Sequence, residues 1–204
     1  MPAGGWCARC LGSRPAFERT VAGLIYRRPV DILVTRFKYR GQRASGVTLG
    51  DVLARAVVCD LERRPDFEWP DRVVPMPLHP ARLRSRGFNQ SQQLAQQVAT
   101  ATGIAMSAGD CERVRNTPPQ SGVTGVKARQ ANVRGAFRVR PSICGFRVAI
   151  VDDVMTTGAT ANTLARALLA AGATSVEVWA SARANASDLA SAAAAQTRKA
   201  QASR

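Results

Sequence analysis

Apolar positions along the chain switch repeatedly between helical and extended spacing, the pattern of a sheet flanked by helices. Residues 18–39 read as helical in two pieces divided by Pro29. In the second piece Val30, Leu33, Val34 and Phe37 recur at helical spacing, and Lys38-Tyr39-Arg40-Gly41 supplies a basic last turn and a glycine stop. Residues 46–64 repeat the pattern, with Leu49, Val52, Leu53, Ala56 and Val57 as the stripe. Residues 71–77 predict a short strand between prolines. Asn89 is placed to cap a helix reaching Ala101, with Leu94, Ala95 and Val98 inward. Residues 110–115 and 135–139 predict two short strands joined by a long polar segment. Val148-Ala149-Ile150-Val151 is an unbroken apolar run, which suits a strand covered on both faces. A helix over residues 161–171, stopped by Gly172, and a strand over 175–182 complete a β-α-β unit.

The 204-residue chain is 46% hydrophobic, enough for one substantial core, and no apolar run approaches a bilayer span. MPAGGWCARC lacks the charged and apolar regions of a secretion signal, so a cytoplasmic protein without membrane insertion is expected. Three segments are predicted: residues 1–16, a main domain over 17–184, and a tail over 185–204 whose Ala, Ser, Gln and Arg offer no apolar stripe to dock. Five cysteines, an odd number, argue against a disulfide framework. Cys59, Cys111 and Cys144 are expected to be buried thiols. Cys7 and Cys10 form a C-x-x-C, half of a tetrahedral zinc site, and no second pair follows at ribbon spacing. Twenty-nine Lys and Arg against fourteen Asp and Glu leave a net charge of +15. Either solubility or a polyanionic partner explains it.

The chemistry concentrates in Phe146–Thr160, FRVAIVDDVMTTGAT. Asp152 and Asp153 are predicted to end the strand at the edge of a crevice, where adjacent carboxylates suit a cis-diol or Mg²⁺. Thr156, Thr157, Gly158, Ala159 and Thr160 then make a small-residue turn into a helix, whose free amides and hydroxyls suit a phosphate. A diol grip beside a phosphate cradle describes a ribose 5-phosphate site. Arg82, Arg84 and Arg86, read as a loop before Gly87 and the Asn89 cap, are placed to grip pyrophosphate or a nucleic-acid backbone, or to make a solvated basic loop. Phe88 is expected to staple the helix start or to stack on a base. Arg115, Lys127, Arg129 and Arg134 make the long polar segment basic, as a lid over a phosphate-rich ligand needs.

Residues 148–160 resemble the phosphoribosyl-pyrophosphate (PRPP) signature of type I phosphoribosyltransferases. Wider marks are the C-x-x-C, LVTRFKYRG, VVPMPLHPARLRSRGFNQSQQLA, RVRNTPPQ and RQANVRGAF; together with VDDVMTTGAT they resemble the ComF family, phosphoribosyltransferase-like proteins associated with DNA uptake. The resemblance implies a type I phosphoribosyltransferase fold, a central parallel sheet flanked by helices with a small hood. It implies PRPP bound by Asp152, Asp153, Val154, Met155, Thr156, Thr157, Gly158, Ala159 and Thr160, with Mg²⁺ accompanying it and Asp153 as candidate acid-base residue. Single-stranded DNA and a helicase-like protein are the implied partners. An active phosphoribosyltransferase with a nucleobase or amine acceptor is the alternative. Family members usually begin with a four-cysteine zinc ribbon; Cys7 and Cys10 match its second pair, so this chain is expected not to hold zinc.

Overall fold

The computed structural model describes residue 10 and residues 12–39, 42–64, 68–115 and 135–184. Cys7, Lys127, Arg129, Arg134, the short helix or lid expected around residues 127–132, and the tail lie outside these. Five strands form a parallel sheet in the order β1-β7-β6-β2-β3. They are β1 (Arg19–Ile25), β2 (Arg72–Pro75), β3 (Ala105–Met106), β6 (Arg147–Met155) and β7 (Ser175–Arg183). β4 (Cys111–Arg113) and β5 (Phe137–Val139) pair antiparallel as a separate ribbon, Cys111 opposite Val139. Among the described residues no helix is long and apolar enough to cross a membrane.

Helices cover both faces, because the central strands are apolar on both. On one face lie α1 (Val30–Tyr39), α2 (Arg43–Glu62) and α4 (Gln90–Thr102). Val34, Phe37, Leu49, Leu53, Leu94 and Val98 from these helices bury against Val73, Ala149, Val151 and Trp179. The other face carries α5 (Ala159–Ala170) and the β4–β5 ribbon. There Leu164, Leu168 and Phe137 pack on Val148, Ile150, Val176 and Val178. The alternation Val148, Ala149, Ile150, Val151 thus feeds two cores in turn, each fully buried large side chain contributing about 1.5–3 kcal/mol.

Several expectations are corrected. The first helical piece of residues 18–39 is instead the edge strand β1, paired with β7 from Arg19↔Glu177 to Ile25↔Arg183. Its Thr20, Val21 and Ile25 are β-branched, but a lone edge strand buries too little to alternate cleanly. The strand expected to stop at Val151 continues through both aspartates to Met155, because β7 pairs with it as far as Met155↔Arg183. The arginines expected in a loop lie on a short helix, α3 (Pro80–Arg86), started by Pro80 and the His79 cap and stopped by Gly87 at φ 77°. Phe88 packs on the helix-side core, its ring 5.6 Å from that of Phe37. Of the three cysteines expected to be buried, Cys111 is, and burial pushes its thiol up to about 12, whereas Cys59 and Cys144 are exposed.

Ion pairs fasten the amino ends of the strands. Arg147, first in β6, makes a two-pronged bond to Asp71 (3.1 and 2.8 Å), and Arg64 spans Asp60 (2.9 Å) and Glu177 (3.3 Å). In open parallel sheets the carboxyl ends are where ligands bind.

Candidate functional site

Asp152 and Asp153 sit near the carboxyl end of β6, where the run that fills the cores gives way to polar contacts. Oδ1 of Asp152 accepts from Ser91 Oγ at 3.2 Å and from the Asp153 amide at 2.9 Å. Oδ1 of Asp153 accepts from the Val154 amide at 2.6 Å, and its Oδ2 pairs with Lys38 Nζ at 3.0 Å. Burial, then the neighbouring Asp153 charge, pushes the Asp152 carboxyl up to about 7, against the lowering influence of Lys38 and Ser91. Burial alone would lower the Lys38 ammonium, but the charge and hydrogen bond of Asp153, with help from Asp152, outweigh it and the net shift is upward.

Beyond the pair the chain turns through Thr156 and Thr157 to Gly158, which caps α5 at φ 74° without a side-chain bond to the helix amides. A side chain is excluded at Gly158 twice over. The left-handed backbone disfavours it, and a Cβ would come within 2.7 Å of Met155 Cε. Thr157 Oγ1 accepts weakly from the Ala159 amide at 3.4 Å, and Thr163 Oγ1 donates to the Ala159 carbonyl at 2.9 Å. Asn162 Oδ1 accepts from the Ala16 amide at 2.6 Å, pinning the approach to β1 against the start of α5. The result is an amide-lined helix entry beside two carboxylates, the pair of features a ribose 5-phosphate requires. Of the residues expected to bind, Asp152, Asp153, Thr156, Thr157, Gly158, Ala159 and Thr160 line this stretch. Val154 is partly buried against one core, and Met155 is buried in the other while its carbonyl accepts from the Ala184 amide at 3.0 Å. Those two side chains therefore pack into the cores rather than line the turn.

The basic residues divide. Arg86 lies in the electrostatic field of Lys38, and its guanidinium stands 5.3 Å over the Tyr39 ring while donating to Gln90 Oε1 at 3.2 Å. Arg82 is lowered by burial and then by Arg86. Arg84 and Arg115 are exposed, and neither registers at the acidic pair. Lys38, Ser91 and Arg113 were missed by sequence reasoning. Burial and then Arg82 lower the Arg113 guanidinium, with Asp152 offsetting them. Strand alternation carries a signal for Arg113, since it shares a face with buried Cys111. Lys38 reads only as a basic helix end, and nothing local marks Ser91. A cleft of about 380 Å³ between α3 and β4 adjoins Arg113, with Pro75, His79, Asn89 and Glu112 among its walls.

The acidic pair does not fit a resident metal. Among the described residues no three His, Cys, Asp or Glu side chains gather to ligate an ion, and Lys38 already holds Oδ2 of Asp153. Cys10 is half-buried and its thiol is not in a disulfide.

The model of the phosphoribosyl transferase domain matches residues 83–199, more than half of the chain, with both aspartates and the turn into α5 inside the match and Lys38 and Arg82 before it. DNA utilization protein YhgH of Salmonella typhimurium is 36% identical over 173 residues, covering 85% of this chain and 75% of its own. Competence protein F of Haemophilus influenzae is 35% identical over 181 residues, covering 87% and 78%. This chain belongs to the ComF family. It is a phosphoribosyltransferase-domain protein, with the flanked parallel sheet that the sequence predicts. Among solved structures, this ComF-family chain aligns with the glutamine PRPP amidotransferase from B. subtilis at a TM-score of 0.41 and 27% identity, over 65% of this chain and 25% of that one. A purine phosphoribosyltransferase from Pyrococcus horikoshii aligns at 0.38 and 16%, over 64% and 70%.

Proposed function

We propose that this ComF-family protein binds the ribose 5-phosphate part of PRPP between Asp152–Asp153 and the start of α5, and acts in the cytoplasm on DNA being taken up. The observation that carries the ligand is the junction itself. Two carboxylates on β6 precede a left-handed glycine and a helix entry whose first amide meets only the long 3.4 Å contact of Thr157 Oγ1, so diol acceptors and phosphate donors are built into one continuous stretch. In that reading Oδ2 of Asp152, outside the contacts of Ser91 and the Asp153 amide, takes a ribose hydroxyl. Arg82, Arg86 and Arg113 neutralise the pyrophosphate, and Mg²⁺ comes with it as part of the ligand. The names of the relatives, DNA utilization protein and competence protein, support the DNA role.

Calorimetric titration with ribose 5-phosphate and with 2-deoxyribose 5-phosphate tests the ligand. The diol reading expects roughly 5- to 150-fold weaker binding of the deoxy sugar, since an unpaired buried acceptor costs about 1–3 kcal/mol. Equal affinities, or no binding of either, overturn it. Should the protein also transfer the ribose, the leaving pyrophosphate faces the same arginines. Asp153, the candidate acid-base residue, has both oxygens engaged. Asp152, whose carboxyl titrates near neutrality, is then the better placed proton carrier.

A second reading, single-stranded DNA binding, is favoured by one surface. A cleft of about 460 Å³ is lined by Arg43, Arg86, Gly87, Phe88 and Gln93, and Tyr39, 70% exposed, stands beside Arg86. Guanidinium groups next to an exposed ring are the parts that hold a backbone and stack a base. A labelled oligothymidylate should bind with an affinity that falls steeply with salt. Tyr39→Ala should weaken it at every salt concentration, and absent or salt-independent binding removes this reading. A helicase-like partner belongs to the same proposal.

A further inference from the structure

We infer that Lys38 is the resident counter-cation of the acidic pair: it holds Asp153 in place and denies the two carboxylates to a free divalent ion, so that metal reaches the site only on the ligand. The inference rests on the ribose-phosphate reading and adds to it a residue outside the signature. Lys38 lies in the last turn of α1, which is anchored by Val34 and Phe37, both buried in the core beneath it. Its side chain is 22% exposed and that of Asp153 11%, so the 3.0 Å pair is largely withdrawn from water. An ion pair so enclosed is expensive to break, since either partner left alone is a buried charge.

The oxygens leave a metal little to bind. Oδ1 of Asp152 carries two donors, Oδ1 of Asp153 carries the Val154 amide, and Oδ2 of Asp153 carries the ammonium. Only Oδ2 of Asp152 stands outside these contacts. Mg²⁺ demands near-octahedral oxygen coordination and dehydrates reluctantly, and one carboxylate oxygen beside an ammonium does not meet that demand. The field of Arg86, which reaches Lys38, adds to the repulsion. A ligand's hydroxyls suffer no such repulsion, being neutral donors to the oxygen that remains. Lys38 is therefore a positioning residue that selects a diol over a bare cation.

Mn²⁺ alone, followed by water-proton relaxation in the full chain without any sugar phosphate, tests this. The wild type should show no site tighter than the millimolar range, and neither should Lys38→Arg, which keeps the charge. Lys38→Gln should gain a site at least tenfold tighter, lost again on adding Asp152→Asn. Submillimolar Mn²⁺ binding by the wild type that Asp152→Asn abolishes overturns the inference, as does a folded Lys38→Gln variant with no gain. If Lys38→Gln fails to fold, the wild type decides through ribose 5-phosphate titrated in EDTA and in Mg²⁺. Affinities within twofold support the inference, and a tenfold loss in EDTA overturns it. Absence of ribose 5-phosphate binding under both conditions would sink the proposed function while leaving the Mn²⁺ result on the wild type to judge Lys38.

Discussion

Replacing Gly158 with alanine tests the cradle through two separable costs. The first is conformational: at φ 74° an L-residue is disfavoured by about 1–2 kcal/mol. The second is steric, because the new Cβ would lie 2.7 Å from Met155 Cε, with the Phe17 ring next at 3.6 Å. Met155 is 5% exposed and packed in the α5-side core, so its flexible end has to repack among core neighbours, and overpacking of this kind costs about 1–3 kcal/mol. The sum is roughly 2–5 kcal/mol. For a domain of this size each kcal/mol moves the melting temperature by about 2–4 °C. Gly103 is the control: it has the same φ of 74° with nothing within 4 Å of a Cβ, so Gly103→Ala bears the conformational cost alone. Thermal unfolding of both variants, with calorimetric titration of ribose 5-phosphate, gives the readout. Gly158→Ala should melt lower than Gly103→Ala by the steric share, about 2–12 °C, and should lose affinity, while Gly103→Ala keeps it. Equal melting temperatures, or full affinity in Gly158→Ala, would refute the reasoning.

Two further outcomes follow from the same contacts. Because the Asp152 carboxyl titrates near 7 when folded and near 4 when unfolded, the folded state holds the extra proton between those values, so this group's contribution is present below pH 4 and is lost as pH rises through 7. Denaturant unfolding at pH 5 and 7.5 should therefore show a loss of at most a few kcal/mol in the wild type and a flatter profile in Asp152→Asn; parallel profiles would contradict the assignment. Asn89 caps α4 through the Ser91 amide at 3.1 Å and also donates from Nδ2 to the Met76 carbonyl at 3.1 Å. Asn89→Ala should cost about 1–2 kcal/mol in denaturant midpoint, and a change within 0.5 kcal/mol would show that the cap is replaced by water.

The elements most legible in the sequence were those whose neighbours agree with them. The stripes of α1, α2 and α4 serve one core and the unbroken run Val148–Val151 serves both, and their spacing states it. β1 reads as helical in sequence because an edge strand obeys its partner β7 more than its own pattern. α3 reads as a loop in sequence because seven residues with three arginines carry no stripe, and its helix is set by Pro80, His79 and Gly87 instead. The signature announced its carboxylates and its turn, since glycine and adjacent acids are scarce in that order. It did not announce Lys38, 115 positions before Asp153, or Ser91, because only folding brings α1 and α4 against β6. Arg82, Arg84, Arg86 and Arg115 looked equivalent in sequence. Folding sorts them by which side of α3 and which end of β4 they occupy.

The most direct test of the central claim is a thermal melt with Mg²⁺ and PRPP, wild type beside the Asp152→Asn, Asp153→Asn double variant, each first shown to unfold cooperatively without ligand. Ligand at 100 times its dissociation constant stabilises by about 2.7 kcal/mol, a rise of about 5–11 °C. The account predicts that rise in the wild type and none in the double variant. An unchanged wild-type melt, or an equal rise in both, would contradict it.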